Sequence, residues 1–292
     1  ELLARTTTVA RMGVRIEADG LVMRYGDVTA VDGVSFTVEP GEFFGLLGPN
    51  GAGKTTTLEM IEGLRKPQAG SVTIDGQEPW RRDPALQRRM GVQLQSSAFF
   101  ERLTAREQLT TFGALYGVPK QRADELLEQV GMADKADDRT EDLSGGQKQR
   151  LSIACALVHE PDVVFLDEPT AALDPQARRN LWDLLRSLNH SGRTVMLTTH
   201  YMDEAEALCD RVGIMDHGSI LELDTPAALV RGLDAPVRIT VMADGVENTI
   251  ETREPARVLA DLAARDALDG LSVKGASLED VFLELTGREY RA

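Results

Sequence analysis

Phe43-Phe44-Gly45-Leu46-Leu47 runs straight into Gly48-Pro49-Asn50-Gly51-Ala52-Gly53-Lys54-Thr55. The first stretch is an unbroken apolar run, suited to a strand buried on both faces of a parallel sheet. The second fits the pattern G-x-x-x-x-G-K-[ST], and its apolar continuation to Ile61 reads as a helix. Strand, glycine-rich loop and helix in that order form an anion cradle. The glycines let successive backbone N–H groups converge on phosphate oxygens, and the helix N-terminus adds its dipole. Gly48, Pro49, Asn50, Gly51, Ala52, Gly53, Lys54, Thr55 and Thr56 are therefore expected to bind a nucleotide. Lys54 would reach the β- and γ-phosphates, and the Thr55 hydroxyl would take Mg²⁺.

Upstream of this segment, Val14, Ile16, Leu21 and Val22, then Val31, Val34, Phe36 and Val38, are spaced by polar residues. That spacing predicts strands of a half-buried antiparallel sheet. A further strand is expected at 71–74, closed by the Asp75-Gly76 turn. Downstream, 104–116, 119–130 and 144–159 read as three helices, the last with Leu151, Ala154, Cys155 and Val158 on one face. The pattern then returns to strand at 163–166, helix at 175–188 and strand at 194–198. Alternating strand and helix mean a parallel α/β core, into which 104–160 is inserted as helices. Past Pro236, a strand through Val237, Ile239 and Val241 and helices at 255–268 and 278–285 are expected. Ser277 and Asp280 have the spacing of a capping box.

Two further segments carry chemistry. Val163-Val164-Phe165-Leu166-Asp167-Glu168 ends a buried strand in two carboxylates. Beside a phosphate loop, Asp167 would hold Mg²⁺ through water, and Glu168 could polarise an attacking water. Leu143-Ser144-Gly145-Gly146-Gln147 opens the third helix, either as a plain N-cap by Ser144 or as a second anion cradle.

The chain has 292 residues, 32 Lys plus Arg against 47 Asp plus Glu, and a formal charge of −15. Such acidity excludes a general nucleic-acid binder and a surface bound to anionic lipid. The same charge says little against a nucleotide, because charges beyond a Debye length of roughly 8 Å are screened. Arg81, Arg82, Arg88 and Arg89 form a basic patch in the sequence. Cys155 and Cys209 are too few for a disulfide framework, so no disulfide partner is expected. No apolar run approaches the roughly 18 residues of a membrane span.

Taken together, the loop at 48–55, Leu143 to Gln147, the strand ending in Asp167-Glu168, Ala172-Leu173-Asp174-Pro175 and His200 resemble the ATP-binding subunit of ABC (ATP-binding cassette) transporters. That resemblance implies an α/β P-loop NTPase fold. It comprises an ABC ATPase core with an antiparallel β-subdomain, an inserted helical subdomain and a small α+β C-terminal accessory domain. The implied divisions are a flexible segment at 1–13, an ATPase domain at 14–232 with its helical part at about 96–160, and an accessory domain at 236–292.

The resemblance also implies ATP and Mg²⁺ as cofactors and a head-to-tail homodimer, each ATP lying between one subunit's phosphate loop and the other's Leu143, Ser144, Gly145, Gly146 and Gln147. Asp174 would sit at the dimer seam, His200 on the γ-phosphate and Tyr25 against adenine. Gln95 would approach Mg²⁺ and the lytic water, so that Glu168, His200, Gln95 and Lys54 form the catalytic set. Thr55, Gln95 and (through water) Asp167 would serve the metal. The inserted helices would receive a helix of a membrane permease, with Phe99, Phe100 and Leu103 as candidates for that contact.

The tail at 278–287 resembles that of daunorubicin/doxorubicin-resistance-type exporter ATPases, which pair with separately encoded permeases. The implied function is ATP-powered export of a hydrophobic, drug- or lipid-like substrate from the cytoplasmic face of the membrane. The alternatives are an importer subunit, a non-transport relative acting on ribosomes or DNA, and a non-catalytic regulator. A single cassette without sustained heptads speaks against ribosome- and DNA-directed relatives, and intact Glu168 and His200 speak against a regulator.

Overall fold

The computed structural model describes residues 13–93, 99–100, 102–171, 173–233, 235–243 and 246–287. Gln95, expected in the catalytic set, and most of the segment 1–13 lie outside the described residues.

Strands β1 (Ile16–Tyr25) and β2 (Val28–Val38) alternate buried and exposed positions and pair antiparallel. After β3 (Phe43–Leu47) and helix α1 (Lys54–Ile61) the chain returns as β4 (Ala69–Ile74), which pairs antiparallel with β1. The buried faces of this three-stranded sheet join Leu58, Met60 and Ile61 of α1 in one core.

A short α2 (Pro84–Gln87) leads to β5 (Met90–Gln93) at one edge of a six-stranded sheet. Helices α3 (Ala105–Leu115), α4 (Gln121–Gln129) and α5 (Gly145–Leu157) follow as the inserted helical layer. Capping boxes, Thr104 with Glu107 and Ser144 with Gln147, start α3 and α5. The single apolar face expected of the third helix is too narrow a description. Ser152, Ile153, Ala156 and Leu157 are buried along with Leu151, Ala154 and Val158, because α5 is packed by α3 and α4 as well as β5.

The sheet is completed by β6 (Val163–Asp167), β7 (Thr194–Thr199) beyond helix α6 (Pro175–His190), and β8 (Arg211–Asp216) and β9 (Ser219–Asp224) beyond α7 (Met202–Leu208). Its order is β5-β6-β7-β3-β8-β9. The β5–β6, β6–β7, β7–β3 and β3–β8 pairings are all parallel. Every residue of β3, β6 and β7 is buried, which is why those strands lack a period-two pattern. Parallel pairing puts Leu47 beside Thr199 and Asp167 beside Thr198, so three strands deliver their C-terminal ends to one edge. Open α/β sheets bind ligands at such an edge.

The described residues divide into two compact units between Leu223 and Asp224. The division falls ahead of α8 (Pro226–Gly232), whereas the expectation from sequence ran the first domain to 232. The second unit pairs β10 (Val237–Ala243) antiparallel with β11 (Val246–Thr252) and with β12 (Ser272–Lys274). Helix α9 (Pro255–Ala264) supplies Leu262 to a small core with Ile239 and Val241. It stops short of the expected 268, with Asp266 in the left-handed region at φ 54°. The last helix, α10 (Leu278–Thr286), has the expected Ser277–Asp280 capping box.

Two of the four arginines of the patch seen in the sequence are neutralised. Arg89 bridges Asp75 and Asp162, both at 2.7 Å, and Arg81 pairs with Glu78.

One buried hydroxyl ties the chain's start to the sheet. Thr194 Oγ1 accepts from Val14 N (2.9 Å) and Gly41 N (3.0 Å) and donates to Val14 O (2.8 Å). Thr194→Val keeps the shape but strands one buried and one half-buried donor, so urea unfolding of the first unit should show a loss of about 2 kcal/mol. A change below about 0.5 kcal/mol would mean that those donors find other partners.

Candidate nucleotide-binding site

The loop between β3 and α1 is built around glycines that no other residue could replace. A Cβ on Gly48 would lie 2.2 Å from Met215 O, and one on Gly53 would lie 2.3 Å from Ala30 O at a φ of +101°. The backbone is therefore pressed against β8 and β2, with Gly53 in a left-handed conformation at the helix N-cap.

Lys54, the first residue of α1, is only 4 % exposed. Its Nζ donates to Gly48 O (2.7 Å) and Pro49 O (3.1 Å) and lies 3.5 Å from Glu168 Oε1. The cation thus sits inside its own loop. Burial pulls its pKa below the usual lysine value, and the Glu168 carboxylate opposes that shift.

Asp167 and Glu168 leave the sheet in different directions. Asp167 is buried, and its Oδ1 accepts from Thr198 Oγ1 (2.5 Å) and Thr55 Oγ1 (3.1 Å). Burial raises its pKa, and those two hydroxyls restrain the rise. Glu168 has a left-handed φ of 47°, unusual for a residue with a side chain. Its N–H donates to both Thr198 O and Thr198 Oγ1, each at 3.1 Å. The turn carries its carboxylate between two bases, with Oε2 3.3 Å from His200 Nδ1. Strained backbone of this kind concentrates at functional sites.

Lys54, Thr55, Asp167, Glu168 and His200, predicted from three separate stretches of sequence, therefore meet at one sheet edge. The other expected residues stand apart from them. Tyr25 ends β1, 42 % exposed, with the Arg65 guanidinium 5.3 Å from its ring centre. Ser144 caps α5, accepting from Gln147 N (3.3 Å), while Gln147 Oε1 accepts from Ser144 N (2.8 Å). Asp174 caps α6 through Gln176 N (3.0 Å) and Ala177 N (2.9 Å). Among the described residues, no hydrogen bond or ion pair joins Leu143–Gln147 or Asp174 to the phosphate loop.

Sequence reasoning missed Thr198, which holds the Asp167 carboxylate and the Glu168 backbone N–H. Its signal was present, since a hydroxyl residue two places before His200 on a fully buried strand needs a partner. It also missed Tyr201, whose ring lies 4.0 Å from that of His200 and under Arg178 at 3.9 Å.

Hard oxygen donors, Thr55 Oγ1 and Asp167 Oδ1, already face each other across 3.1 Å, which suits Mg²⁺. No cluster of three metal-ligating His, Cys, Asp or Glu occurs among the described residues. A cation here would take its remaining ligands from water and phosphate, as Mg²⁺ commonly does.

The parallel sheet, the glycine loop and the Lys54–Glu168–His200 cluster define a P-loop nucleotide-binding protein. Residues 31–171 match the ABC transporter family. The chain is 41 % identical to the Nod factor export ATP-binding protein I of Ralstonia nicotianae, covering 94 % of this chain and 95 % of that protein. It is 36 % identical to the linearmycin resistance ATP-binding protein LnrL of Bacillus subtilis, covering 94 % and 99 %. A dimeric bacterial ABC transporter cassette superposes with a TM-score of 0.67 at 29 % identity, over 72 % of this chain and 98 % of that one. The chain belongs to the ATP-binding subunits of ABC transporters, and its activity is ATP hydrolysis.

Thr198→Val deletes the shorter of the two bonds that restrain Asp167. The carboxyl should then titrate at a still higher pH, so ATP hydrolysis should begin to fail at higher pH on the acid side than in the native chain. A pH profile of kcat/KM checks this, and an unmoved acid limb would contradict it.

Proposed function

We propose that this chain is the motor of an exporter, closing as a head-to-tail homodimer on ATP and driving a separately encoded permease at the cytoplasmic face of a membrane. The observation that carries the proposal is Glu168, held between Lys54 and His200 at the end of a strand beside a phosphate loop. The names of relatives concerned with Nod factor export and linearmycin resistance support export. Among the described residues no helix is long and apolar enough to cross a membrane, so the translocation path would lie in the partner.

The phosphates of ATP would replace Gly48 O, Pro49 O and Glu168 as partners of Lys54, which keeps its buried charge because the phosphates are anionic. Thr55 would hold Mg²⁺ directly, Asp167 through water, and Gln95 is assigned to the same shell. Bound Mg²⁺ supplies charge neutralisation at the β- and γ-phosphate oxygens. Glu168, released by Lys54, takes a proton from the water that attacks the γ-phosphorus, and ADP leaves. His200 donates to the γ-phosphate and keeps Glu168 aimed. Ser144 and Gly146 of the second subunit close the site from outside, with α5 directing its N-terminus at the phosphates. Asp174 lies at the seam, and Tyr25, 42 % exposed at the end of β1, stacks on adenine. The dimeric cassette that this chain resembles supports that arrangement.

Glu168→Gln should abolish steady-state hydrolysis and leave an ATP-bound dimer visible by light scattering. Turnover near the native rate would sink the assignment of Glu168. Ser144→Arg and Lys54→Ala should each be inactive alone. Mixed together, they should regain a fraction of native activity, because one of the two composite sites is then intact. No recovery on mixing would overturn the head-to-tail arrangement.

A further inference from the structure

Among the described residues the most deeply buried carboxyl group belongs to Glu204, in the first turn of α7, with none of its surface exposed. Trp182, two turns into α6, donates its indole N–H to Glu204 Oε1 at 3.2 Å. Burial raises the pKa of the group, and the side chains of Thr199, Thr170 and Trp182 and the charge of Arg178 oppose that rise. Oε2 of Glu204 and Oγ1 of Thr170 are nevertheless closed to solvent without a completed hydrogen bond. A core position that only needed filling would hold an apolar side chain, because burying a carboxyl group is costly. Its retention here calls for an explanation.

The neighbours of Glu204 supply one. Thr170 follows Glu168 by two residues, in a turn where Ala171 N donates to Glu168 O at 3.1 Å. Thr199 precedes His200. Its hydroxyl accepts from Tyr201 N (2.9 Å), and its carbonyl accepts from Gly48 N of the phosphate loop (3.2 Å). Trp182 stands on the helix that Asp174 caps. One side chain therefore meets the turn after Glu168, the residue before His200 and helix α6. A second link lies one helical turn earlier on α6, where the Arg178 guanidinium stacks 3.9 Å from the Tyr201 ring centre and lies 3.5 Å from Asp203. Tyr201 in turn packs 4.0 Å from the His200 ring.

We propose that Glu204 is a positioning residue for ATP hydrolysis, pinning the Thr170 turn and α6 to the end of β7 so that Glu168 and His200 keep their mutual aim. This rests on the reading above, in which those two residues work at the γ-phosphate, and it adds a buried group that acts through them. The ion-pair distance of 3.3 Å between Glu168 and His200 joins groups on two different strand ends, so it holds only while those ends stay in register. Misplacement of about 1 Å at such a site costs up to about a hundredfold in rate. Because Asp174 caps the helix that carries Trp182, a displacement at the seam would reach His200 through the same bond.

Steady-state hydrolysis by the full chain tests the proposal in Glu204→Gln, Glu204→Met, Trp182→Phe and His200→Ala. Glutamine keeps an oxygen for the indole N–H and an amide that can meet the threonine hydroxyls, so kcat should stay within about twofold of native. Methionine fills similar space without those bonds and should lower kcat about tenfold while KM for ATP moves less than about twofold. Trp182→Phe breaks the same bond from a half-buried ring, which guards against misfolding of the methionine variant, and should lower kcat about threefold with KM unmoved. Near-native turnover by His200→Ala would sink the underlying reading of the site. With His200→Ala inactive, native kcat in both Glu204→Met and Trp182→Phe would overturn the role of Glu204 alone. So would a loss in Glu204→Gln as large as that in Glu204→Met, or a loss that falls on KM rather than kcat.

Discussion

The site depends on one buried cation. Lys54 is almost wholly removed from water, and a buried ammonium survives only with compensation on several sides. Two carbonyls of its own loop and the Glu168 carboxylate supply it. Without nucleotide, the residue that would activate water is thus held by the residue that would grip phosphate. In the proposed mechanism ATP would offer Lys54 stronger anionic partners, and their arrival would free Glu168 for chemistry. Binding and catalysis would then be coupled through the same charge.

Sheet architecture makes that coupling possible. Parallel strands end together, so a loop after β3, two carboxylates after β6 and a histidine after β7 converge although far apart in the chain. Thr198 refines the placement. Its hydroxyl donates to Asp167 and accepts from the Glu168 amide, and its carbonyl accepts from that same amide. The left-handed backbone at Glu168 is the cost of turning adjacent residues to separate tasks.

Much of this was legible in the sequence because the determining signals are local. The glycine loop, the apolar runs of β3 and β6 and the caps at Ser144 and Ser277 each follow from a few neighbouring residues. Elements whose burial is set by distant partners were harder to read. Helix α7 is short, and Arg211 and Asp216 flank the apolar stretch of β8, so neither stood out. The burial of α5 depends on α3, α4, β5 and β6. The ion pairs that silence Arg81 and Arg89 and the backbone turn at Glu168 are properties of packing, which no local pattern encodes. Gln95 lies outside the described residues, so its place in the site rests on sequence alone.

The central claim is that the phosphate loop of one subunit meets Leu143–Gln147 of another only when ATP is bound. Asn50 and Gly145 are both exposed, and a Cβ on Gly145 meets nothing within 4 Å. The direct measurement is oxidative cross-linking in a mixture of Asn50→Cys and Gly145→Cys chains. The account predicts a cross-linked heterodimer that forms with ATP under non-hydrolysing conditions, is lost without nucleotide, and does not form in either chain alone. Cross-linking that ignores ATP, or none in the mixture, would contradict it.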